Sequence, residues 1–289
     1  MGIPKRAQRQ QGTYAVVDGI HFPMPIDTRD SQAFLAAFTI DATKAAALLP
    51  GQELHPVRLW KDRALLLVTV INYEHTDIGK YIEFSIGIAC TRGERPAPRL
   101  LPMLLRGRYG FGQYVVDLPV SSEVSVKGGK GIWGMPKHQA PLDFLVDGRR
   151  VSSQYDLDGE LVMRVDIGRP KRRWFPLTMN AANYSHFRGM LMKSYVAFQG
   201  APRFSFLRPQ GSLEIGDHPR LAPLKDLDIS RRPLFTSFYP DFGGVLDDYM
   251  ESWFVTWPDE QVPPVEGLET VFHLGQSQEW PDPPHRLRP

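Results

Sequence analysis

The stretch PLDFLVDGRRVSSQYDLDGELVMRVDI, residues 141–167, decides the fold class. Its alternating apolar and polar residues predict three consecutive strands, at 141–146, 149–157 and 160–167. Asp147-Gly148 and Asp158-Gly159 separate these strands, and an Asp-Gly pair favours the tight turn of a β-hairpin. Strands joined by such short turns pair antiparallel. The stretch therefore predicts a fold built mainly from antiparallel β-sheet.

Further strand candidates lie on both sides of this stretch. Residues 81–90 alternate most clearly, with apolar even-numbered residues on one face and Glu83 on the other. The remaining strand candidates are 63–72, 113–120, 195–198, 204–207 and 212–215, preceded by an extended arm at 13–30. Two short helices are expected, one at 42–49 after an Asp41 cap and one at 246–254. The predicted fold class is α+β, predominantly antiparallel β.

The composition excludes several classes of protein. Of the 289 residues, 34 are Lys or Arg and 32 are Asp or Glu, and the net charge of +2 does not favour a nucleic-acid partner. Cys90 is the only cysteine, which excludes an internal disulfide and a zinc site of several thiolates. The longest apolar run, 64–71, is much shorter than the ~20 residues of a membrane-spanning helix. We therefore expect no nucleic acid and no membrane as partners.

The two ends of the chain differ in composition from the middle. The start, MGIPKRAQRQQG, is basic and polar and is followed by no apolar segment typical of a signal peptide, so we expect a cytoplasmic protein. The end is rich in proline. We expect a disordered leader at 1–12, a single domain at 13–257 and a loosely packed tail at 258–289.

Residues 129–134, GKGIWG, match the G-x-G-x-x-G pattern of dinucleotide-binding loops. That function needs a strand before the motif and a helix that begins inside it. Met135-Pro136 follows directly, and proline is not tolerated in the interior of a helix. We therefore expect a proline-stiffened turn, no surrounding βαβ unit and no dinucleotide cofactor.

Two charged residues stand out near these patterns, and each has an ordinary alternative. Lys137 follows the apolar turn, but most lysines are solvated surface residues. Glu83 lies on the polar face of the strand at 81–90, and that face could simply contact solvent. If the strand lines a closed barrel, however, the same face looks into the cavity.

The chain resembles the acetoacetate decarboxylase family in four segments. Residues 129–137, GKGIWGMPK, match a family segment whose lysine forms a Schiff base with the substrate, and residues 79–83, GKYIE, match a segment whose glutamate lies in the active site. Residues 41–50 and 217–227 resemble two further family segments, in the same order. The resemblance covers roughly residues 20–250.

This resemblance implies a structure, a site and a chemistry. The implied fold is a cone-shaped, mostly antiparallel β-barrel with a few flanking helices, and the implied assembly is a homo-oligomer. Lys137 and Glu83 would be the catalytic residues, with Glu83 handling protons or lying near the substrate carboxylate. A family arginine that would bind this carboxylate is expected at Arg29. The implied substrate is a small keto acid, with no metal and no organic cofactor.

Three positions depart from the family pattern. The family segment has a second lysine directly after the Schiff-base lysine, and this position is His138 here. It also has an acidic residue after the glycine and basic residue at its start, and this position is Gly131 here. A second active-site glutamate of well-known members would fall near Val68. These differences leave the Schiff-base lysine and one carboxylate, and they make strict specificity for acetoacetate doubtful.

A lysine must be a free amine to attack a ketone. An ordinary lysine titrates near ~10.4, so half-deprotonation at pH 7 costs about 5 kcal/mol. Burial and a neighbouring cation can both lower a lysine pKa, and acetoacetate decarboxylase is itself the standard example. Histidine is mostly neutral at pH 7, so His138 is a poor second cation. We therefore expect Trp133 and Met135 to line the substrate site with His138 and to supply most of the desolvation.

Three functions remain open at this point. The first is decarboxylation of a β-keto acid through a lysine iminium and an enamine. The same intermediates serve an aldolase-dehydratase that joins a pyruvate-like keto acid to an aldehyde. The third is a ligand-binding member of the fold without catalysis. A metal-dependent hydrolase is disfavoured, because none of the eight histidines has H-x-x-x-H or H-E-x-x-H spacing.

Overall fold

The computed structural model of this chain describes residues 12–171, 175–206 and 208–256. The predicted leader at 1–12 lies outside these residues except for Gly12, and the predicted tail at 258–289 lies outside them entirely. Within the described ranges, no helix combines the length and the apolar character needed to cross a membrane.

The described residues form short helices and many strands. The strands are β1 (Thr13–Val17), β2 (Ile20–Met24), β3 (Ile26–Asp41), β4 (Leu54–Pro56), β5 (Arg63–Tyr73), β6 (His75–Thr76), β7 (Tyr81–Arg92), β8 (Gly112–Val120), β9 (Lys137–Gln139), β10 (Leu145–Val146), β11 (Arg150–Leu157), β12 (Glu160–Gly168), β13 (Leu177–Phe187), β14 (Met190–Gly200), β15 (Arg203–Ser205), β16 (Gly211–Ile215) and β17 (Phe235–Phe254). The α-helices are α1 (Ala42–Ala46), α2 (Leu101–Leu104), α3 (Glu123–Trp133) and α4 (Ala222–Lys225), and 3₁₀ turns cover Trp60–Asp62 and Pro219–Leu221.

Seven strands close into a barrel in the order β3, β5, β7, β8, β13, β14, β17, because β17 pairs back onto β3. Neighbouring strands run antiparallel except β8 and β13, which pair parallel at Gln113 with Asn183 and at Tyr114 with Tyr184. The predicted fold class, α+β with a predominantly antiparallel β-barrel and a few helices, is therefore confirmed.

The barrel wall separates two apolar clusters. Phe34 and Phe84 pack with Tyr155 and Val165 of the small sheet β10–β11–β12–β16, so this cluster lies between the barrel and that sheet. A second cluster draws its members from strands around the ring and therefore fills the barrel interior: Ala33, Tyr73, Tyr81, Val120, Tyr239 and Phe242. Alternate residues of a strand face opposite sides of a sheet, so β3, β5, β7 and β17 each contribute to both clusters.

The glycine-dense stretch forms a helix that the sequence analysis did not predict, and the predicted proline-stiffened turn follows this helix at 134–136. Helix α3 begins after Ser122, whose side chain accepts from the Ser125 amide, and ends at Gly134 in the left-handed conformation, before Pro136. β8, α3 and β9 form a parallel βαβ crossover, so the expected absence of such a unit was wrong. The motif glycines lie in the last turns of α3, whereas a dinucleotide loop needs them where a helix begins.

Most local predictions in the middle of the chain are confirmed. The strands predicted at 63–72, 81–90 and 113–120 are β5, β7 and β8, and Asp41 caps α1, which is shorter than expected. Asp158 and Gly159 both have positive φ, as the predicted tight turn between β11 and β12 requires.

The helix predicted at 246–254 was wrong, because these residues form the end of β17. They pair with β14 from Leu246 opposite Val196 to Phe254 opposite Met190. Helix propensity is a weak tendency that tertiary context often overrides, and here a row of hydrogen bonds to the neighbouring barrel strand replaces those of a helix.

Candidate active site

Lys137 is the first residue of β9 and its side chain points into the barrel. Its Nζ lies 2.7 Å from Oε2 of Glu83 on β7 and 2.9 Å from Oγ of Ser125 on α3. The side chains of Lys137 and Glu83 are 5% and 13% exposed. The solvated-surface interpretations of both residues are therefore wrong, and the structure brings together the two residues expected to be catalytic.

Strand register explains why Glu83 and Lys137 meet. Glu83 is aligned with Val120 of β8, and Lys137 is aligned with Leu118 two residues earlier on the same strand. Val120 belongs to the cluster inside the barrel. Residues two apart on β8 share a face, so both charged side chains lie on the inner side of the wall.

Helix α3 covers Lys137 and leaves room for its side chain at one position. A Cβ atom added to Gly129 would lie 2.2 Å from Cδ of Lys137, which is far inside van der Waals contact. Ser125 lies four residues earlier, on the same face of the helix. One helix face therefore provides both the space for the lysine stem and a hydroxyl for its amine.

Stacked tyrosines form the wall beside the lysine. The Tyr81 ring centroid is 5.5 Å from Nζ of Lys137, and the Tyr73 and Tyr81 rings stack with centroids 4.6 Å apart. Burial raises the pKa of both phenols, and the negative charge of Glu83 raises both further. Both tyrosines therefore stay protonated at neutral pH, and their contribution to the site is neutral hydroxyl groups and aromatic faces.

His138 lies on the outer side of the barrel wall, away from Lys137. Its Nε2 is 3.2 Å from Oδ1 of Asp117 and 3.2 Å from the hydroxyl of Tyr155. Consecutive residues of a strand point to opposite faces, so neighbours in sequence reach different clusters. The structure thus does not bring His138 together with Lys137, and its expected role in substrate binding stays a prediction.

The outer cluster is a closed hydrogen-bond network around Asp117. Its carboxylate also accepts from the hydroxyl of Tyr155 at 3.1 Å and from Nε and an Nη of Arg220 at 2.9 and 2.8 Å. Burial by itself would raise the pKa of Asp117, but the hydrogen bonds from His138 and Arg220 outweigh it and the pKa is lowered. Asp117 is 2% exposed and stays ionised through these partners.

Trp133 and Met135 are buried in an apolar cluster of their own near the end of α3. They belong to a cluster with Phe22 and Ile26 from the N-terminal strands and with Leu118. The carbonyl of Trp133 also accepts a hydrogen bond from Ser185. The contacts described for Nζ come instead from Glu83, Ser125 and Tyr81, so desolvation by Trp133 and Met135 stays a prediction.

Arg29 lies on β3 in an exposed ion pair. Its Nε is 2.5 Å from Oδ2 of Asp27, and its side chain is 57% exposed. The structure does not bring it together with Lys137 and Glu83, and its binding of a substrate carboxylate stays a prediction. Val68, where well-known family members would carry a second glutamate, is fully buried in the cluster outside the barrel.

Sequence reasoning missed Ser125, Tyr73 and the role of Tyr81 in the wall. Ser125 could have been found through its spacing of four residues from Gly129, but only once that stretch was known to be helical. Three glycines inside a helix cost about 1 kcal/mol each relative to alanine, so local propensity argued against one. Among the described residues, no group of three or more His, Cys, Asp or Glu side chains could hold a metal ion.

Comparison with known proteins decides the family. The family model described as acetoacetate decarboxylase matches residues 13–249, which is most of the chain. The chain belongs to the acetoacetate decarboxylase family. No curated protein sequence gave a significant match. The residues matched by the family model include Lys137, Glu83 and Ser125.

Solved structures of acetoacetate decarboxylases share the fold at low sequence identity. The enzyme from Legionella pneumophila is 15% identical with a TM-score of 0.57, covering 83% of this chain and 92% of that one. A second acetoacetate decarboxylase structure is 14% identical with a TM-score of 0.58, covering 87% and 98%. The enduracididine biosynthesis enzyme MppR, solved with pyruvate, is 17% identical with a TM-score of 0.57, covering 79% and 90%.

Proposed function

We propose that this member of the acetoacetate decarboxylase family is a carbon–carbon lyase that forms a Schiff base between Lys137 and a small β-keto acid and releases carbon dioxide. The observation that carries the proposal is the contact of 2.7 Å between the buried Nζ of Lys137 and the Glu83 carboxylate. A nucleophile in contact with a proton acceptor is what covalent catalysis by an amine requires.

The contact with Glu83 gives the lysine a route to its reactive form. An ammonium and a carboxylate are both costly to bury, and transfer of one proton converts the pair to a neutral amine and a neutral acid. The neutral amine can attack the ketone carbon. Because the protonated Glu83 carries no charge, it also does not repel the carboxylate of the arriving substrate.

The reaction then follows from the electron demand of decarboxylation. The amine adds to the ketone, water leaves, and an iminium ion remains on Nζ. The bond to the carboxylate breaks, carbon dioxide departs, and the bonding electrons move into the iminium to form an enamine. Protonation of the enamine carbon and hydrolysis release the ketone and restore Lys137. Iminium formation uses the proton that Glu83 held, so the ionised Glu83, which contacts Nζ, has to take a proton from water before it can pass one to the enamine carbon.

Borohydride trapping tests this function. Of all substitutions, replacement of Lys137 is expected to have the largest effect on it. The protein is incubated with acetoacetate, reduced, digested and read by mass spectrometry, while release of carbon dioxide is followed separately. We expect a reduced adduct on Lys137, and we expect K137M to lose both the adduct and turnover. Absence of any adduct from folded wild-type protein with several keto acids would instead favour a ligand-binding protein without catalysis.

Lys193 offers a matched control for that experiment. Its Nζ lies 3.4 Å from Oε1 of Glu251 and 4.9 Å from the Tyr195 ring centroid, and its side chain is 13% exposed. It is thus a second largely buried lysine with a carboxylate and an aromatic neighbour. We expect K193M to keep the adduct on Lys137 and the release of carbon dioxide.

The alternative function is condensation of a pyruvate-like keto acid with an aldehyde, followed by loss of water, through the same lysine. One observation favours keeping it: MppR, which shares the fold, was solved with pyruvate. Pyruvate plus an aldehyde, assayed beside acetoacetate, separates the two reactions. A cytoplasmic location and a homo-oligomer remain further proposals, to be tested by fractionation and by light scattering.

A further inference from the structure

We infer that Ser125 is a further catalytic residue, which relays a proton from nitrogen to oxygen while the Schiff base forms. Its Oγ lies 2.9 Å from Nζ of Lys137, and the residue is 1% exposed. The inference rests on the proposed Schiff-base chemistry and adds to it a residue on α3, outside the strand that carries Glu83.

The need for a relay follows from the atoms that must move. When the neutral amine adds to the ketone, nitrogen carries two protons and a positive charge, and the former ketone oxygen is negative. One proton has to pass from nitrogen to that oxygen to give the neutral carbinolamine. The two atoms share one carbon, so a direct transfer would pass through a strained four-membered ring, and a group that contacts both atoms avoids it.

A serine hydroxyl suits this transfer because it both accepts and donates. Ser125 takes the proton from nitrogen through the contact already present and gives its own proton to the oxygen, so its proton count is unchanged. Glu83, holding the proton taken from the ammonium, then protonates the hydroxyl that leaves as water. The iminium forms next to an ionised Glu83, and all protons are accounted for.

The position of Ser125 is fixed by the helix. Its amide donates to Oγ of Ser122, the N-terminal cap of α3, at 3.3 Å. Gly129, one turn later on the same face, approaches the Lys137 stem so closely that any Cβ would collide with it. The hydroxyl is therefore held over the amine by the same packing that positions the lysine.

The test compares two reactions of the same lysine. Borohydride trapping with a keto acid requires loss of water, whereas acylation of Lys137 by an activated phenyl acetate does not produce a carbinolamine. We expect S125A to slow adduct formation by about 10²-fold, the lower end of general acid–base effects, while acylation of Lys137 changes by no more than a few fold. S125C, which is close in size but a weaker hydrogen-bond donor, should fall between S125A and wild type.

Ser153→Ala is the matched control. Ser153 is also 1% exposed, and its hydroxyl donates to the Asp143 carbonyl at 2.7 Å in the small sheet, so S153A tests the loss of a buried hydroxyl elsewhere. Adduct formation by S125A and S125C at the wild-type rate overturns the inference. Equal slowing of trapping and acylation also overturns it, because Ser125 would then only position Lys137. Failure of wild type to form an adduct rejects the proposed function itself, which the Ser125 variants do not decide.

Discussion

Lys137 and His138 are neighbours in sequence, yet they lie in two polar clusters that the barrel wall separates. On the inner side, the Lys137 amine contacts one carboxylate, Glu83, and one hydroxyl, Ser125, beside an aromatic wall. On the outer side, His138 contacts a carboxylate, Asp117, that is already bonded to other groups. The same strand therefore presents the Lys137 amine to one face and the His138 imidazole to the other.

The difference lies in how completely each carboxylate is satisfied. Asp117 accepts four hydrogen bonds, from His138, Tyr155 and two nitrogens of Arg220, and a carboxylate has about four acceptor positions. Glu83 is described with one such bond, from Lys137. A saturated carboxylate fixes its neighbours, whereas one with free acceptor capacity can take and return a proton. We therefore expect substitutions inside the barrel to change chemistry and those outside it to change stability.

Among substitutions at Gly129, Gly131, Asp117 and Tyr155, the largest effect is expected at Gly129. In G129A the new methyl group would lie 2.2 Å from Cδ of Lys137, so the lysine must move. Displacement of a catalytic group by about 1 Å can cost ~10²-fold in rate, and we expect borohydride trapping to slow by that factor.

Gly131 provides the control on the same helix. Its added Cβ would meet Cγ1 of Val17 at 2.6 Å, a side chain of β1 remote from the Nζ contacts of Lys137. Both substitutions favour the helix by about 1 kcal/mol. The two variants therefore differ in the side chain that the new methyl group meets, which is Lys137 in G129A and Val17 in G131A. Trapping by G131A should stay within a few fold of wild type. Equal trapping rates in the two variants would show that this contact does not position the lysine.

The next effect is on stability, at the centre of the outer cluster. D117N leaves Arg220 and His138 facing a neutral amide, and we expect a loss of about 1–3 kcal/mol in the free energy of unfolding at pH 7, measured with urea. Trapping of the keto acid by the folded variant should stay within a few fold of wild type. If D117N kept the stability of wild type but lost adduct formation, the outer cluster would control chemistry and not stability, which would contradict this comparison.

The pH dependence of this variant sharpens the comparison. Because the pKa of Asp117 lies below its usual value of 3.8, its ionised form contributes stability above that value, and the contribution is lost as the pH falls through the lower folded pKa. Wild type should therefore lose stability more steeply than D117N below about pH 4. The check is the free energy of unfolding of both proteins, measured with urea at each pH. An equal fall of this free energy in wild type and D117N would contradict this account.

The smallest effect is expected at the edge of the same network. Y155F removes the hydroxyl that donates to Asp117 at 3.1 Å but keeps the buried ring. One hydrogen bond contributes about 0.5–1.5 kcal/mol, so the urea midpoint should fall slightly, and trapping by Lys137 should not change. A fall in trapping as large as that of S125A would mean that the outer network controls the amine.

Local signals in the sequence were sufficient for many elements and failed where tertiary contacts dominate. Alternation identified β5, β7 and β8, and the Asp-Gly turns identified the hairpin of β11 and β12, because both patterns act over a few residues. Helix α3 was missed because its glycines are unfavourable locally. Gly128, Gly129 and Gly131 are needed because a side chain from elsewhere in the chain approaches each of them.

The sequence by itself determined the family, the main strands and the choice of Lys137 and Glu83 as the expected catalytic residues. Motifs and the alternation of apolar and polar residues are local patterns, so they can be recognised without the tertiary structure. It did not determine which side of the wall each residue faces. That was decided by closure of the barrel through β17 and β3 and by the registers of β7 and β9 on β8. These long-range pairings place Lys137 inside with Ser125 and His138 outside with Asp117, because a strand one residue out of register would exchange its two faces.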